Sequence, residues 1–125
     1  MTSTQIILII LMLAVSGLLL WFNLRGRVSD DQVRQFLKEG ALVLDVRTKQ
    51  EFQEGHVDGA VHLPLDQVPG SIASVEKNKD RVILCHCLSG GRSAIAAARL
   101  KRAGYQKAFN LGSLKRANAL VRGQR

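Results

Sequence analysis

The first twenty-four residues contain no Lys, Arg, Asp or Glu, and this constrains the chain more than any other feature in it. Ile6 to Phe22 reads IILIILMLAVSGLLLWF, interrupted only by Ser16 and Gly17. As a helix this run spans about 26 Å at roughly 1.5 Å per residue. The hydrocarbon core of a bilayer is about 30 Å thick, so the run is short but adequate for a span. Trp21 suits a membrane–water interface, with Asn23, Arg25 and Arg27 following it. A cleaved secretory signal fits poorly: Thr2 to Gln5 lacks a basic residue, and no A-x-A pattern follows the apolar run. A buried globular helix also fits poorly, because apolar residues occupy every face. The expectation is a single-pass anchor over residues 1–24 that meets the lipid bilayer through residues 6–22. The nearby basic residues, Arg25 and Arg27, lie on its C-terminal side, which by the positive-inside rule puts the following domain in the cytoplasm. In that reducing compartment Cys85 and Cys87 remain thiols.

What is left, residues 25–125, carries all 18 basic and 10 acidic side chains and hence the whole net charge of +8. About a hundred residues suffice for one modest core, so a single domain is expected over 25–125. Its apolar content of roughly 40% is too high for a disordered chain. Two cysteines separated by one residue exclude a disulfide-stapled miniprotein.

Ser29-Asp30-Asp31-Gln32 is a capping-box pattern, followed by Val33, Phe36 and Leu37 at helical spacing and a stop at Gly40. ALVLDV (41–46) and RVILCH (81–86) read as buried strands. Val61 to Leu63 reads as a brief strand closed by Pro64, and Tyr105 to Leu111 as a further one. Helical turns are expected over 48–54 and 71–75. Longer helices are expected over 92–102, with Ile95, Ala98 and Leu100 inward, and over 114–121. Strands alternating with helices predict an α/β fold: a small parallel sheet covered by helices on both faces. Ligands in such sheets bind beyond the carboxyl ends of the strands. Two loops lie there: Asp45 to Arg47, and Cys87 to Ser93.

The second loop has a defined chemistry. In V-I-L-C-H-C-L-S-G-G-R-S a strand runs into a loop and the loop into a helix. Successive backbone N–H groups in such a turn form an anion-binding concavity, and the helix N-terminus adds partial positive charge. Gly90 and Gly91 let the backbone bend inward, and Arg92 brings a planar cationic fork. These features favour thiolate over thiol at Cys87, and the thiolate is the reactive form. A persulfide, Cys–S–S⁻, would be held by the same ring of donors. The bland alternative is a small buried hydrophobe, which is the expectation for Cys85, inside the strand run. A disulfide across one residue would be strained. Zinc binding by Cys85, His86 and Cys87 is not expected, because no second ligand pair exists.

These residues resemble the rhodanese (sulfurtransferase) superfamily. Cys87-Leu88-Ser89-Gly90-Gly91-Arg92-Ser93 is similar to its active-site loop. An upstream block is similar independently: Leu44-Asp45-Val46-Arg47, Glu51-Phe52, Gly55-His56-Val57-Asp58-Gly59-Ala60 and Leu63-Pro64. Gly104-Tyr105 and Leu111-Gly112 add a weaker match, although Ser113 follows and no Trp occurs after Trp21. The resemblance implies a five-stranded parallel α/β domain in which Cys87 accepts sulfur from a small anionic donor such as thiosulfate, or from a persulfide. A thiol acceptor, a sulfur-accepting protein or cyanide then takes the sulfur. It implies no metal or organic cofactor, and scaffold roles for Asp45 and Arg47 in holding the His56 loop. The alternative is a membrane-tethered binding module without turnover. Phosphatase loops place five residues between Cys and Arg; only four separate Cys87 from Arg92. Residues 81–125 hold ten basic and no acidic side chains. They form either part of a mixed solvated surface or a basic face able to touch anionic lipid. Without an aromatic stacking platform, nucleic acid is not an expected partner.

Overall fold

The computed structural model describes residues 1–25 and 28–124. Gly26, Arg27 and Arg125, and with them one of the two basic flanking residues and the last residue of the expected domain, lie outside the described residues. The apolar run forms α1 (Ser3–Arg25). Within it Ser3–Trp21 is long and apolar enough to cross a membrane, and none of that stretch is buried against the rest of the chain.

The remaining elements are α2 (Asp30–Lys38), β1 (Leu42–Asp45), α3 (Lys49–Gln53), β2 (Val61–His62), a 3-10 turn (Leu65–Gln67), α4 (Ile72–Val75), β3 (Ile83–His86), α5 (Gly91–Arg102), β4 (Ala108–Gly112) and α6 (Leu114–Arg122). The strands form one parallel sheet in the order β2-β1-β3-β4. Among the described residues it has four strands, one fewer than the family resemblance implies. Between α1 and α2 the described residues, Val28 and Ser29, form no strand.

The capping boxes form as their spacing dictates. Ser29 accepts from the Gln32 N–H while the Gln32 side chain reaches back to the cap, and Thr48 and Glu51 do the same for α3. β1 and β3 are buried on both faces, which explains their unbroken apolar reading. Leu42, Leu44, Ile83 and Cys85 face the α4–α5 side with Ala96, Ala97 and Leu100. Val43 and Leu84 face α2 and α6 with Val33, Ala117 and Leu120. Each Leu so buried contributes about 1.5–3 kcal/mol.

Two expectations need correction. The strand read over 105–111 begins only at Ala108, because Tyr105 is held in the preceding turn, where its buried hydroxyl donates to the Glu76 carbonyl at 2.6 Å. On α5 the buried stripe is Ser93, Ala96, Ala97 and Leu100; Ile95 and Ala98 are exposed. The helix is turned so that Ser93 meets the Cys87 loop, and that rotation points Ile95 outward.

Candidate active site

The site is built where β3 ends. Cys87 follows the last residue of β3, and only three residues, 88–90, lie between it and the start of α5. So tight a turn requires Gly90 at φ +106°, a conformation that L side chains rarely adopt. A Cβ at Gly90 would also lie 3.4 Å from the Gly112 Cα, so two glycine backbones pass close to each other here. The turn after β4 clamps the loop: the Cys87 N–H donates to the Gly112 carbonyl (3.1 Å), the Leu114 N–H donates to the Leu88 carbonyl (3.2 Å), and Ser89 bridges Ser113.

The Cys87 sulfur sits at the floor of this loop, with 1% of the residue exposed. The Gly90 N–H donates to it at 3.0 Å, and the Ser93 hydroxyl lies 3.5 Å away. Burial alone pushes the thiol pKa up. The Ser93 hydroxyl and the backbone N–H groups of Ser93, Gly90 and Ser89 outweigh it, and the net shift is downward. The Ser93 Oγ is itself held by Asn110 Oδ1 (2.7 Å) and the Gly90 carbonyl (3.1 Å). Asn110 in turn donates from Nδ2 to the Gly90 carbonyl (3.2 Å), and its Oδ1 accepts from the Gly112 N–H (3.0 Å). Ser93 and Asn110 thus tie α5, the loop and β4 around one sulfur atom.

Cys85 is buried like Cys87, but no donor offsets the burial, which pushes its thiol up to about 12. His86 between them is also fully buried. Burial lowers its pKa against the opposing pull of Asp45, so the ring is neutral at ordinary pH. Its Nδ1 lies 3.3 Å from the Cys87 carbonyl, and its Nε2 lies 3.7 Å from Asp45 Oδ2.

Arg92 does not point its fork freely at the loop. Its two terminal nitrogens bind the two Glu51 oxygens at 2.7 and 3.0 Å. This pairing holds the Glu51 carboxyl down to about 2. Arg92 also feels the negative charge of an ionised Cys87. Asp45 and Arg47 are both buried and make a bidentate pair, with Arg47 Nη2 reaching on to the Gly55 carbonyl at 2.8 Å. The pair therefore braces the turn that carries His56. His56 itself is exposed and stacks on Phe52, ring centres 3.8 Å apart, with Nδ1 3.0 Å from the Phe52 carbonyl. Beside the loop lies an open cleft of about 500 Å³ whose walls include Glu51, His56, Leu88, Leu114 and Arg122.

Leu88, Ser89, Gly90, Gly91 and Ser93 surround or adjoin Cys87 as the loop pattern suggests, whereas Arg47 and His56 line the cleft and Asp45 is buried behind Arg47. Asn110 is the residue that sequence reasoning passed over; Glu51 and Gly112 stand in the sequence blocks that resemble the family, but with no role at the loop read for either.

Fold and site together define a small α/β domain with a loop of backbone N–H groups around a buried cysteine at the end of β3. Residues 29–116 match the rhodanese-like domain family, and the chain belongs to it. It is similar to the thiosulfate sulfurtransferase GlpE of Pseudomonas aeruginosa, 33% identical over 85 residues, covering 68% of this chain and 76% of that protein. The thiosulfate sulfurtransferase PspE of Escherichia coli is 35% identical over 72 residues, covering 58% of this chain and 69% of that protein. A longer Bacillus subtilis relative, 37% identical over 73 residues, is matched over only 38% of its length. Among solved structures, an E. coli rhodanese with bound anions superposes with a TM-score of 0.59 at 32% identity, covering 62% of this chain and 91% of that one.

Proposed function

We propose that the chain is a membrane-anchored sulfurtransferase that carries sulfane sulfur on Cys87. Two units are assigned, an anchor over residues 1–24 and a rhodanese-like domain over 25–125, with α1 spanning the bilayer and the domain on the cytoplasmic side. The observation that carries the activity is the ring of donors on the Cys87 sulfur, with the Gly90 N–H at 3.0 Å and the Ser93 hydroxyl at 3.5 Å. Such preorganised donors stabilise charge without reorganising during reaction.

The Cys87 thiolate attacks the outer sulfur of thiosulfate or of a persulfide donor. A Cys87 S–S bond forms as the donor S–S bond breaks. Sulfite or a thiolate leaves with the bonding pair, and the negative charge moves to the new terminal sulfur. That charge lies one atom further from Sγ, toward the N–H groups of Ser89, Gly90 and Ser93. An acceptor thiolate or cyanide then attacks the terminal sulfur, and the Cys87 thiolate is released again. Arg92, held by Glu51, supplies positive potential at the loop. Because the sulfur is almost fully enclosed, the donor must present a protruding atom, as thiosulfate and persulfides do. Asp45 and Arg47 support the cleft wall and take no part in bond making.

Two-substrate kinetics test this reading. A carrier intermediate gives parallel double-reciprocal lines when thiosulfate is varied at several acceptor concentrations. Converging lines, or undiminished turnover in Cys87→Ser, would defeat it.

A further inference from the structure

The chain enters the domain at the same end of the sheet as the Cys87 loop. Val28, the first described residue after α1, is buried, and its carbonyl accepts from Arg116 Nη2. The same guanidinium donates to the Leu111 carbonyl at 2.9 Å. Leu111 precedes Gly112, whose carbonyl accepts the Cys87 N–H. One arginine therefore ties the entry point to the strand end that clamps the loop. Arg25, the last residue of α1, is three residues from Val28. Those residues can reach no further than about 11 Å.

The basic cluster lies at the other end. Arg81 binds the Gly40 carbonyl ahead of β1, and the Lys107 carbonyl accepts the Ile83 N–H where β3 begins. The strands put roughly 13–17 Å between the two ends. A second observation is independent of the tether. Outside α1, the exposed large aliphatic side chains among the described residues are Leu88 (56%) and Ile95 (47%). One is on the loop and the other is in the second turn of α5, both at the entry end.

We propose that the mouth of the Cys87 loop faces the bilayer, with Leu88 and Ile95 meeting the headgroup layer. The proposal rests on reading α1 as a span. The short tether sets the orientation, and the two apolar side chains gain by burial in the interface. Charge does not oppose it at the entry point, since Asp30 is paired with Arg116 at 2.8 Å. The basic end, with Arg81, Lys101 and Lys107, then points away from lipid, and sulfur is exchanged at the membrane surface.

The test uses the full chain in phosphatidylcholine vesicles carrying a headgroup nitroxide. Trp21 is the only tryptophan, so Trp21→Phe gives a dark background. Ile95→Trp and Lys107→Trp, both at exposed positions, then report the two ends. Quenching at least about two-fold stronger for Ile95→Trp is expected from interfacial contact. Equal quenching, or stronger quenching for Lys107→Trp, in protein that resists alkaline extraction would overturn this proposal alone. Release by alkaline extraction would remove the span and the proposal together.

Discussion

Replacing Ser93 by Ala tests whether the single proton of its hydroxyl, which Asn110 Oδ1 and the Gly90 carbonyl also compete for, is given to an ionised Cys87 sulfur. The Ser93 side chain is fully buried, and its hydroxyl lies 3.5 Å from the sulfur. A hydrogen bond to a charged group contributes about 1.5–3 kcal/mol. At 1.36 kcal/mol per pKa unit, losing it raises the thiol pKa by about 1–2 units. The change leaves no acceptor stranded, because Asn110 Oδ1 keeps the Gly112 N–H at 3.0 Å and the Gly90 carbonyl keeps Asn110 Nδ2. The assay is the rate of iodoacetamide alkylation against pH, in full-length protein with Cys85→Ala. Only the thiolate reacts, so a depressed pKa extends reactivity to lower pH, and Ser93→Ala should move the midpoint upward by that amount. An unchanged midpoint would show that the Ser93 hydroxyl serves only Asn110 and the Gly90 carbonyl, and would refute the cradle as described.

Arg47→Ala leaves the Asp45 carboxylate buried without its partner, and should cost about 3–5 kcal/mol in denaturant unfolding. A loss under about 1 kcal/mol would mean that the pair does not brace the fold. Glu51→Gln frees Arg92 and should cost up to about 1 kcal/mol at neutral pH, the pair being partly exposed. The folded carboxyl titrates at about 2, below the ordinary 4.5. Its contribution is therefore complete above 4.5 and lost as pH falls toward 2. Thermal unfolding midpoints of wild type and variant should converge over that interval, and a constant gap would contradict the assignment. Gly90→Ala forces a side chain into φ +106° and against Gly112. It should cost about 1–2 kcal/mol and raise the Cys87 pKa by misaligning the Gly90 N–H, both readable by calorimetry and alkylation.

Much of this was legible in the sequence where local chemistry dictates structure. β1 and β3 read as strands because burial on both faces leaves an unbroken apolar run, and the Ser29 cap announces α2 through its side-chain pattern. The Cys87 loop was legible because a strand, a cysteine and two glycines leave few ways to turn. What was missed depends on contacts distant in sequence. Glu51 and Arg92 meet across 41 residues, and Asn110 reaches Ser93 across 17. The α5 face was misread because AIAAAR has too little contrast between faces to set a stripe, so the choice fell to Ser93 and its partners. Tyr105 reads as a strand residue but serves a turn, since its hydroxyl caps the Glu76 carbonyl.

The central claim is that Cys87 carries the sulfur, and intact mass spectrometry of the full-length protein tests it most directly. After incubation with thiosulfate or glutathione persulfide, a gain of about 32 Da is expected, reversed by a reducing thiol. The gain should persist in Cys85→Ser and vanish in Cys87→Ser. No gain with either donor, or a gain that survives Cys87→Ser, would contradict the account.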